Sequence, residues 1–284
     1  MTAAVESLHR QFPGEYETSV HTTCQEIWEN NPHIVPASDE GQAVAMHYPG
    51  IHESHMIRTG HFMTCFTDYL AGQINRPLKL QVNRPSLYLT DAEKNNKIID
   101  GKYIVVNSGV KQDYTCKGWG HANYQEVCDR LSGEFKIVQI GERHHLHRPL
   151  KGAIDLIGKT SPRELFSLVY NAAAGIGGVT FLQHIFAAFD KPYVCLLGGR
   201  EPISFIWYPT QAFLAMQGRL KCCSPNACWK SRVVALPDGE HHNKSLCALP
   251  VLNKDGEFVP QCMDMIRPAD VIQQIYHFRT GGLL

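Results

Sequence analysis

From Lys102 onward the chain keeps one rhythm: a short apolar run, a polar or glycine-bearing loop, then a stretch with helical spacing. YIVVN (Tyr103 to Asn107) and FKIVQIG (Phe135 to Gly141) are the first two runs, with a helix expected around Tyr124 to Leu131 between them. Ala153 to Ile157 reads as a short strand, Pro162 to Tyr170 and Thr180 to Phe189 as helices, and Tyr193 to Leu197 as a further apolar strand. Strands with no polar face, alternating with helices, are those of a parallel sheet covered on both sides. The first ninety residues repeat the alternation on a smaller scale. Helices are expected over residues 2–11, from Cys24 to Glu29 and from Phe62 to Ile74, and strands over Glu15 to Thr22, Ala43 to Tyr48 and Ser86 to Leu89. The polar run Asp91 to Lys97 reads as a linker, and Ala269 to Phe278 as a closing helix. The fold class is α/β: two Rossmann-like lobes, residues 1–95 and 96–284, facing across a cleft.

Charge narrows the range of partners. Lysine plus arginine equals aspartate plus glutamate at 27 each, which gives no electrostatic case for nucleic acid or an anionic membrane surface. No apolar run approaches a membrane span and no basic-then-apolar leader opens the sequence, so a cytoplasmic location without membrane insertion is expected. Of ten cysteines, Cys24, Cys65, Cys116, Cys128 and Cys195 are scattered and read as ordinary thiols. The other five crowd between Cys222 and Cys262. Disulfides are disfavoured in a reducing compartment, and thiolates prefer zinc or iron in tetrahedral geometry. Adjacent Cys222 and Cys223 rarely bind one ion together, so Cys223, Cys228, Cys247 and Cys262 are the expected ligands within a metal-binding segment 222–262. Four thiolates close the coordination sphere, which gives the ion a structural role and makes a metal-dependent oxidoreductase using it on substrate the weakest of three readings.

Two glycine pairs mark the other candidate site. Gly177 and Gly178 precede the helix pattern at Thr180, and Gly198 and Gly199 follow the strand ending at Leu197, ahead of Arg200 and Glu201. Glycines before a helix let a ligand approach backbone N–H groups, and strand ends are where open α/β sheets bind ligands. Neither pair has GxGxxG or GxxxxGK[ST] spacing, so packing between strand and helix explains them equally well. Lys117 lies in the loop after the first strand of the second lobe, where a lysine neutralises a phosphate or is simply solvated, and Trp119 would pin that loop by burial. His184 falls one helical turn after Thr180, facing the same site or the core. His144, His145 and His147 read as an exposed loop. His52, His55 and His61 precede a helix near the presumed cleft.

Several stretches together resemble glycosyltransferase family 9, the ADP-heptose heptosyltransferases of the two-lobed GT-B fold. They are ETSVHTTCQEIWENNPHI, VNSGVKQDYTCKGWG, LIGKTSPRELFSLV and VTFLQHIFAAFDKP, in the family's order. GGREP and the cysteines of CWKSR, LC and QCMDMI are similar to the autotransporter heptosyltransferase subgroup, which carries a four-cysteine iron site. The resemblance implies an inverting transfer of heptose, or a similar sugar, from a nucleoside diphosphate (ADP before GDP) to a hydroxyl of a protein or saccharide acceptor. It implies iron at the cysteines, with zinc as the chemical alternative, and is compatible with a homo-oligomer. Lys117 would bind the diphosphate, Thr180 and His184 would take the places of a phosphate-binding hydroxyl and a ligand-side histidine, Thr160 would border the base, and Gly198, Gly199 and Arg200 would complete the cofactor-binding set. Two departures stand out. The family's Asp-[Ser/Thr]-Gly is Val179-Thr180-Phe181, and the opening strand with its Gly-Asp loop, whose aspartate is taken as general base, has no counterpart. Slow or absent transfer by these 284 residues is expected, with His52, Glu53, His61 and Asp68 as substitute bases. The rival reading is a nucleotide-sugar-binding or scaffold protein of the same fold. Loss of a cluster cysteine is expected to loosen the tail and to spare nucleotide binding.

Overall fold

A computed structural model describes residues 1–37, 41–46, 60–224 and 227–284. The elements in order are α1 (Thr2–Gln11), α2 (Phe62–Gln73), α3 (Asp91–Asn95), β1 (Tyr103–Asn107), α4 (His121–Leu131), β2 (Lys136–Gln139), β3 (Ile154–Asp155), α5 (Pro162–Asn171), β4 (Ala174–Gly178), α6 (Phe181–Ala188), β5 (Tyr193–Gly198), α7 (Ile203–Ile206), β6 (Gln211–Ala215), β7 (Pro250–Leu252), β8 (Phe258–Pro260), α8 (Gln261–Asp264) and α9 (Pro268–Thr280). Short 3₁₀ turns cover Gln25–Ile27, Gln112–Lys117, Lys221–Cys223 and His241–Lys244.

Six strands form one sheet in the order β3-β2-β1-β4-β5-β6, with every neighbouring pair parallel. Side chains along β1 alternate between two cores, as the period of a strand requires. Ile104 and Val106 pack with Trp119, Tyr124, Leu131 and Ile275, under α4 and α9. Tyr103 and Val105 pack with Phe166, Leu168, Ile185 and Phe186, under α5 and α6. The α/β expectation holds on both faces. Trp119 is buried, and its indole N–H donates to Ile266 O at 2.8 Å, which fixes the loop after β1 to the chain ahead of α9.

Two strands of this sheet differ from the sequence reading. β4 is the glycine-rich AGIGG, and it lies in the middle of the sheet between β1 and β5. Gly177 and Gly178 are therefore strand residues rather than a ligand-facing turn. A Cβ at Gly175 would lie 2.6 Å from both the Phe186 and Tyr193 rings, and one at Gly177 would lie 2.7 Å from the Tyr193 hydroxyl and 2.9 Å from Asn107 O. Tyr193 fills that space and donates its hydroxyl hydrogen to Gly178 O at 3.0 Å. β6 is the other strand missed, at the sheet edge.

The N-terminal part is simpler than expected. Among the described residues before β1 there is no named strand; Thr18 and Ile34 form an isolated bridge where a strand over Glu15 to Thr22 was expected. α1 packs on α2 through Ala4, Leu8, Phe66 and Leu70. The expected linker contains α3, closed by a capping box between Thr90 and Glu93, and Arg163 of α5 binds Glu93 through Nε (2.6 Å) and a second nitrogen (2.7 Å). Among the described residues, no helix is long and apolar enough to cross a membrane.

Candidate active site

Strand order places a crevice. From β1 the chain moves outward to β2 and β3, and from β4 it moves the other way to β5 and β6, so the carboxyl ends of β1 and β4 form the topological switch point where such sheets bind ligands. Lys117 reaches across this point. Its ammonium donates to Val179 O at 2.9 Å and pairs with Glu201 Oε1 at 2.9 Å. Glu201 is buried and also bonded by the Arg200 guanidinium, itself buried. Burial draws Lys117 below the usual lysine range, with Glu201 partly countering it. Burial opposes ionisation of Glu201 as well, but Lys117 and Arg200 outweigh it and hold the carboxyl below its ordinary value. The three groups carry a net positive charge at the floor of the crevice.

Two polar atoms close by lack partners. Asn107 Oδ1 at the end of β1 and Thr180 Oγ1 at the start of α6 are both buried without a hydrogen bond. Thr180 is the N-cap residue of α6, yet its side chain does not cap the helix; the Tyr193 hydroxyl beside it donates to Gly178 O and keeps lone pairs that can accept from Thr180. Buried polar groups are normally satisfied, so orphaned ones in a crevice mark places for ligand atoms. Thr160 is half-buried beyond β3, just ahead of Ser161, which caps α5.

The other expected ligand residues are placed differently. His184 stacks on Phe62 (centroids 5.1 Å apart) and its Nδ1 lies 2.9 Å from the Tyr208 hydroxyl. Burial, reinforced by neighbouring positive charge including Lys117, lowers it to about 3, so it is a neutral packing residue between α2 and the sheet domain rather than a cation for phosphate. His61 is held at both nitrogens: Nδ1 accepts from Met63 N at 3.1 Å, capping α2, and Nε2 donates to Trp207 O at 2.8 Å. That leaves no nitrogen to take a proton from an acceptor. Asp68 is exposed on α2. His52, Glu53 and His55 lie outside the described residues.

The second glycine pair faces sulfur. A Cβ at Gly199 would lie 2.8 Å from Cys223 Sγ, and one at Gly198 would lie 3.2 Å from Cys262 Sγ and 2.6 Å from Met263 Sδ. Gly198 also needs its left-handed φ of 60°. Gly198 and Gly199 thus make room for thiols, where the sequence reading gave them to the nucleotide. The thiols line a cavity of about 20 Å³ with Arg200 and Lys230: Cys223, Cys228, Cys247 and Cys262, as expected, joined by Cys222 and by Cys116 from the turn before Lys117. Arg200 therefore stands between this cavity and Glu201. The Cys116 thiol donates to Cys247, which lowers the Cys247 pKa to about 6 and raises that of Cys116. Burial pushes Cys262 up to about 12.

The donor set suits a thiophilic ion in number and chemistry. Ala227 (φ 74°) and Trp229 (φ 54°), on either side of Cys228, hold left-handed backbone that bulky residues adopt only under constraint. Among the described residues, the potential ligand atoms that all lie within 4.8 Å of one another belong instead to Glu240, His241 and His242, two of them exposed. The thiols ring their cavity more widely, so an ion would draw them inward.

Cys116, Glu201 and Asn107 are the residues that sequence reasoning did not assign. Cys116 lies far from the 222–262 crowding and reads as a scattered thiol. Glu201 stands in the GGREP stretch, and a buried acid paired with a distant lysine leaves no local pattern.

The family model described as glycosyltransferase family 9 (heptosyltransferase) matches residues 46–227, more than half of the chain. The search of curated proteins gave no match. Among solved structures, the glycosyltransferase family 9 protein of Veillonella parvula is similar at 14% identity and TM-score 0.54, covering 78% of this chain and 61% of that one. The Escherichia coli ADP-heptose LPS heptosyltransferase II gives 15% and 0.52, covering 79% and 63%. TibC of enterotoxigenic E. coli, a dodecameric iron-containing heptosyltransferase seen with ADP-D-β-D-heptose, gives 20% and 0.52, covering 85% and 59%. At these identities the likeness is one of fold, and the chain spans about six-tenths of the length of each of these structures.

Proposed function

Because the chain belongs to glycosyltransferase family 9, we propose that its switch-point crevice binds the diphosphate of a nucleotide-sugar donor, ADP-heptose or a similar sugar, for inverting transfer to a hydroxyl acceptor. The observation that carries this reading is the buried Lys117–Glu201–Arg200 group, with its net positive charge, beside the orphaned Thr180 and Asn107 oxygens.

In an inverting transfer the acceptor oxygen attacks the anomeric carbon as the bond from that carbon to the diphosphate oxygen breaks. Negative charge then grows on the departing phosphate, where a fixed cation contributes most. Lys117 supplies that cation, pre-positioned by Val179 O and Glu201. Thr180 Oγ1 donates to a phosphate oxygen, and the first N–H groups of α6 face the same charge. Asn107 accepts from a donor hydroxyl, and Thr160 borders the base. The acceptor proton must pass to a base; His61 is committed elsewhere, so His52, Glu53 and Asp68 are the remaining candidates from the sequence. Cys223, Cys228, Cys247 and Cys262 would hold one iron or zinc ion, whose chemistry here is to cross-link the 222–262 segment.

Calorimetry with ADP and GDP on the full chain tests the reading. ADP is expected to bind, and Lys117→Ala to weaken it by about 1.5–3 kcal/mol, the usual loss for a hydrogen bond to a charged group. Equal affinity in wild type and variant removes Lys117 from the site.

A further inference from the structure

The thiol cluster and the crevice hang on one stretch of backbone. Cys228 N donates to Gly199 O at 3.1 Å, Trp229 N to Arg200 O at 3.0 Å, and Arg200 Nε to Lys230 O at 2.7 Å. One residue further on, Ser231 O accepts from Cys116 N at 3.0 Å. Gly199 and Arg200 lead directly into Glu201, and Cys116 directly precedes Lys117. Both halves of the Lys117–Glu201 ion pair are therefore covalent neighbours of residues fixed to segment 228–231, which itself begins with a cluster cysteine.

Charge alternates along the same path. Four thiolates outnumber the charge of a divalent ion, so a filled centre is anionic. Arg200 lines its cavity, bonds Glu201 on the other side, and Glu201 bonds Lys117, which faces the crevice. Arg200 and Glu201 are both buried, so each is held by its neighbours rather than by water. A change at either end of this series must move or recharge the group beside it.

We propose that Glu201 is a positioning residue that couples the two sites, so that an ion in the thiol centre and a nucleoside diphosphate at Lys117 each strengthen the binding of the other. This rests on the reading of the crevice as the donor site. It reverses the expectation that loss of a cluster cysteine spares nucleotide binding. Losing the ion releases the cross-link on segment 228–231, and with it the hold on the turn that presents Glu201 to Lys117. Coupling of this kind is reciprocal by thermodynamic necessity.

The test uses the full chain loaded with zinc alone. ADP affinity is measured by calorimetry on loaded and chelator-stripped protein, and zinc release to a chromogenic chelator is followed with and without saturating ADP. We expect ADP to bind about tenfold more tightly to the loaded protein, and zinc to be retained about tenfold more strongly with ADP present. Glu201→Gln should hold zinc as wild type does, bind ADP more weakly, and bring both ratios toward one; Glu201→Asp should restore part of the effect. If stripping unfolds the chain, the release measurement decides alone, because it starts from loaded, folded protein. Unchanged zinc release together with equal ADP affinity overturns the coupling and leaves the donor reading standing. Full coupling in Glu201→Gln overturns the role of Glu201. Loaded protein that binds no ADP overturns the donor reading and the coupling with it, and a chain that retains no zinc overturns the centre.

Discussion

The two glycine pairs look alike in sequence and serve opposite ends. Gly177-Gly178 closes a central strand, where the missing side chains admit Tyr193 and the β1 backbone. Gly198-Gly199 makes the turn after β5, where the missing side chains admit two sulfurs. The first pair is a matter of stability and the second of site geometry. The difference lies in what each would touch: sheet backbone and a buried tyrosine hydroxyl at Gly177, the side chains of Cys223, Cys262 and Met263 at the second pair. A glycine doublet at a strand end does not by itself announce a phosphate.

Substitution should separate the pairs. Gly177→Ala is the harshest change, since Asn107 O cannot step aside; it should lower the stability of the whole chain by about 1–3 kcal/mol in denaturant unfolding, the range for overpacking. A smaller loss there than at Gly199 would undo the contrast. Acid supplies a control at a seam that neither pair touches. His184 is neutral in the folded chain down to about pH 3, whereas an unfolded histidine takes up its proton near 6.5. The unfolded state therefore binds more protons between those values, and stability should fall with pH from 6.5 downward, by at most about 1.4 kcal/mol per unit. His184→Phe should flatten that slope, and an unchanged slope would place the proton uptake elsewhere.

Gly199→Ala should cost about 1–2 kcal/mol: the Cys223 sulfur can turn away, but its Cβ, 2.9 Å off, moves only with the short turn Lys221–Cys223. Its distinguishing sign is lowered metal content by elemental analysis, which Gly177→Ala should not show once refolded. Tyr193→Phe is the mildest change. It removes the hydrogen bond to Gly178 O together with the contact to the Thr180 hydroxyl and should cost about 0.5–1.5 kcal/mol. Because it also clears the hydroxyl beside Thr180, an accompanying change in ADP affinity would show that the first pair bears on the site after all.

What could be read from the sequence follows the same division. β1, β2 and β5 were legible because Val, Ile and Leu runs carry their own strand signal. β4 was not, since AGIGG has little strand propensity and is held by packing against Phe186 and Tyr193. The strands expected over Glu15 to Thr22 and Ser86 to Leu89 are extended or irregular chain, with no sheet neighbour to complete them among the described residues. In the linker, the Thr90–Glu93 capping box was present and outweighed by polarity. At the site, Lys117 was marked by the family resemblance and the four expected cysteines by their crowding. Cys116 and Glu201 owe their places to partners far along the chain, which spacing does not carry.

The thiol cavity is assembled from four separate stretches, around Cys116, Gly199, Cys228 and the Cys247–Cys262 region. Contacts between stretches so far apart carry a loop-closure cost that is met only after nearer contacts exist, and such contacts form late in folding. The complete cavity, with Cys116 and Arg200 in its wall, is therefore absent until β1 and β5 already lie in one sheet. Metal retention then reports on the history of each molecule: in a refolding time course, zinc should become resistant to a competing chelator only after the sheet's far-ultraviolet signal is complete, and a chain that misassembles its strands should give its zinc up readily.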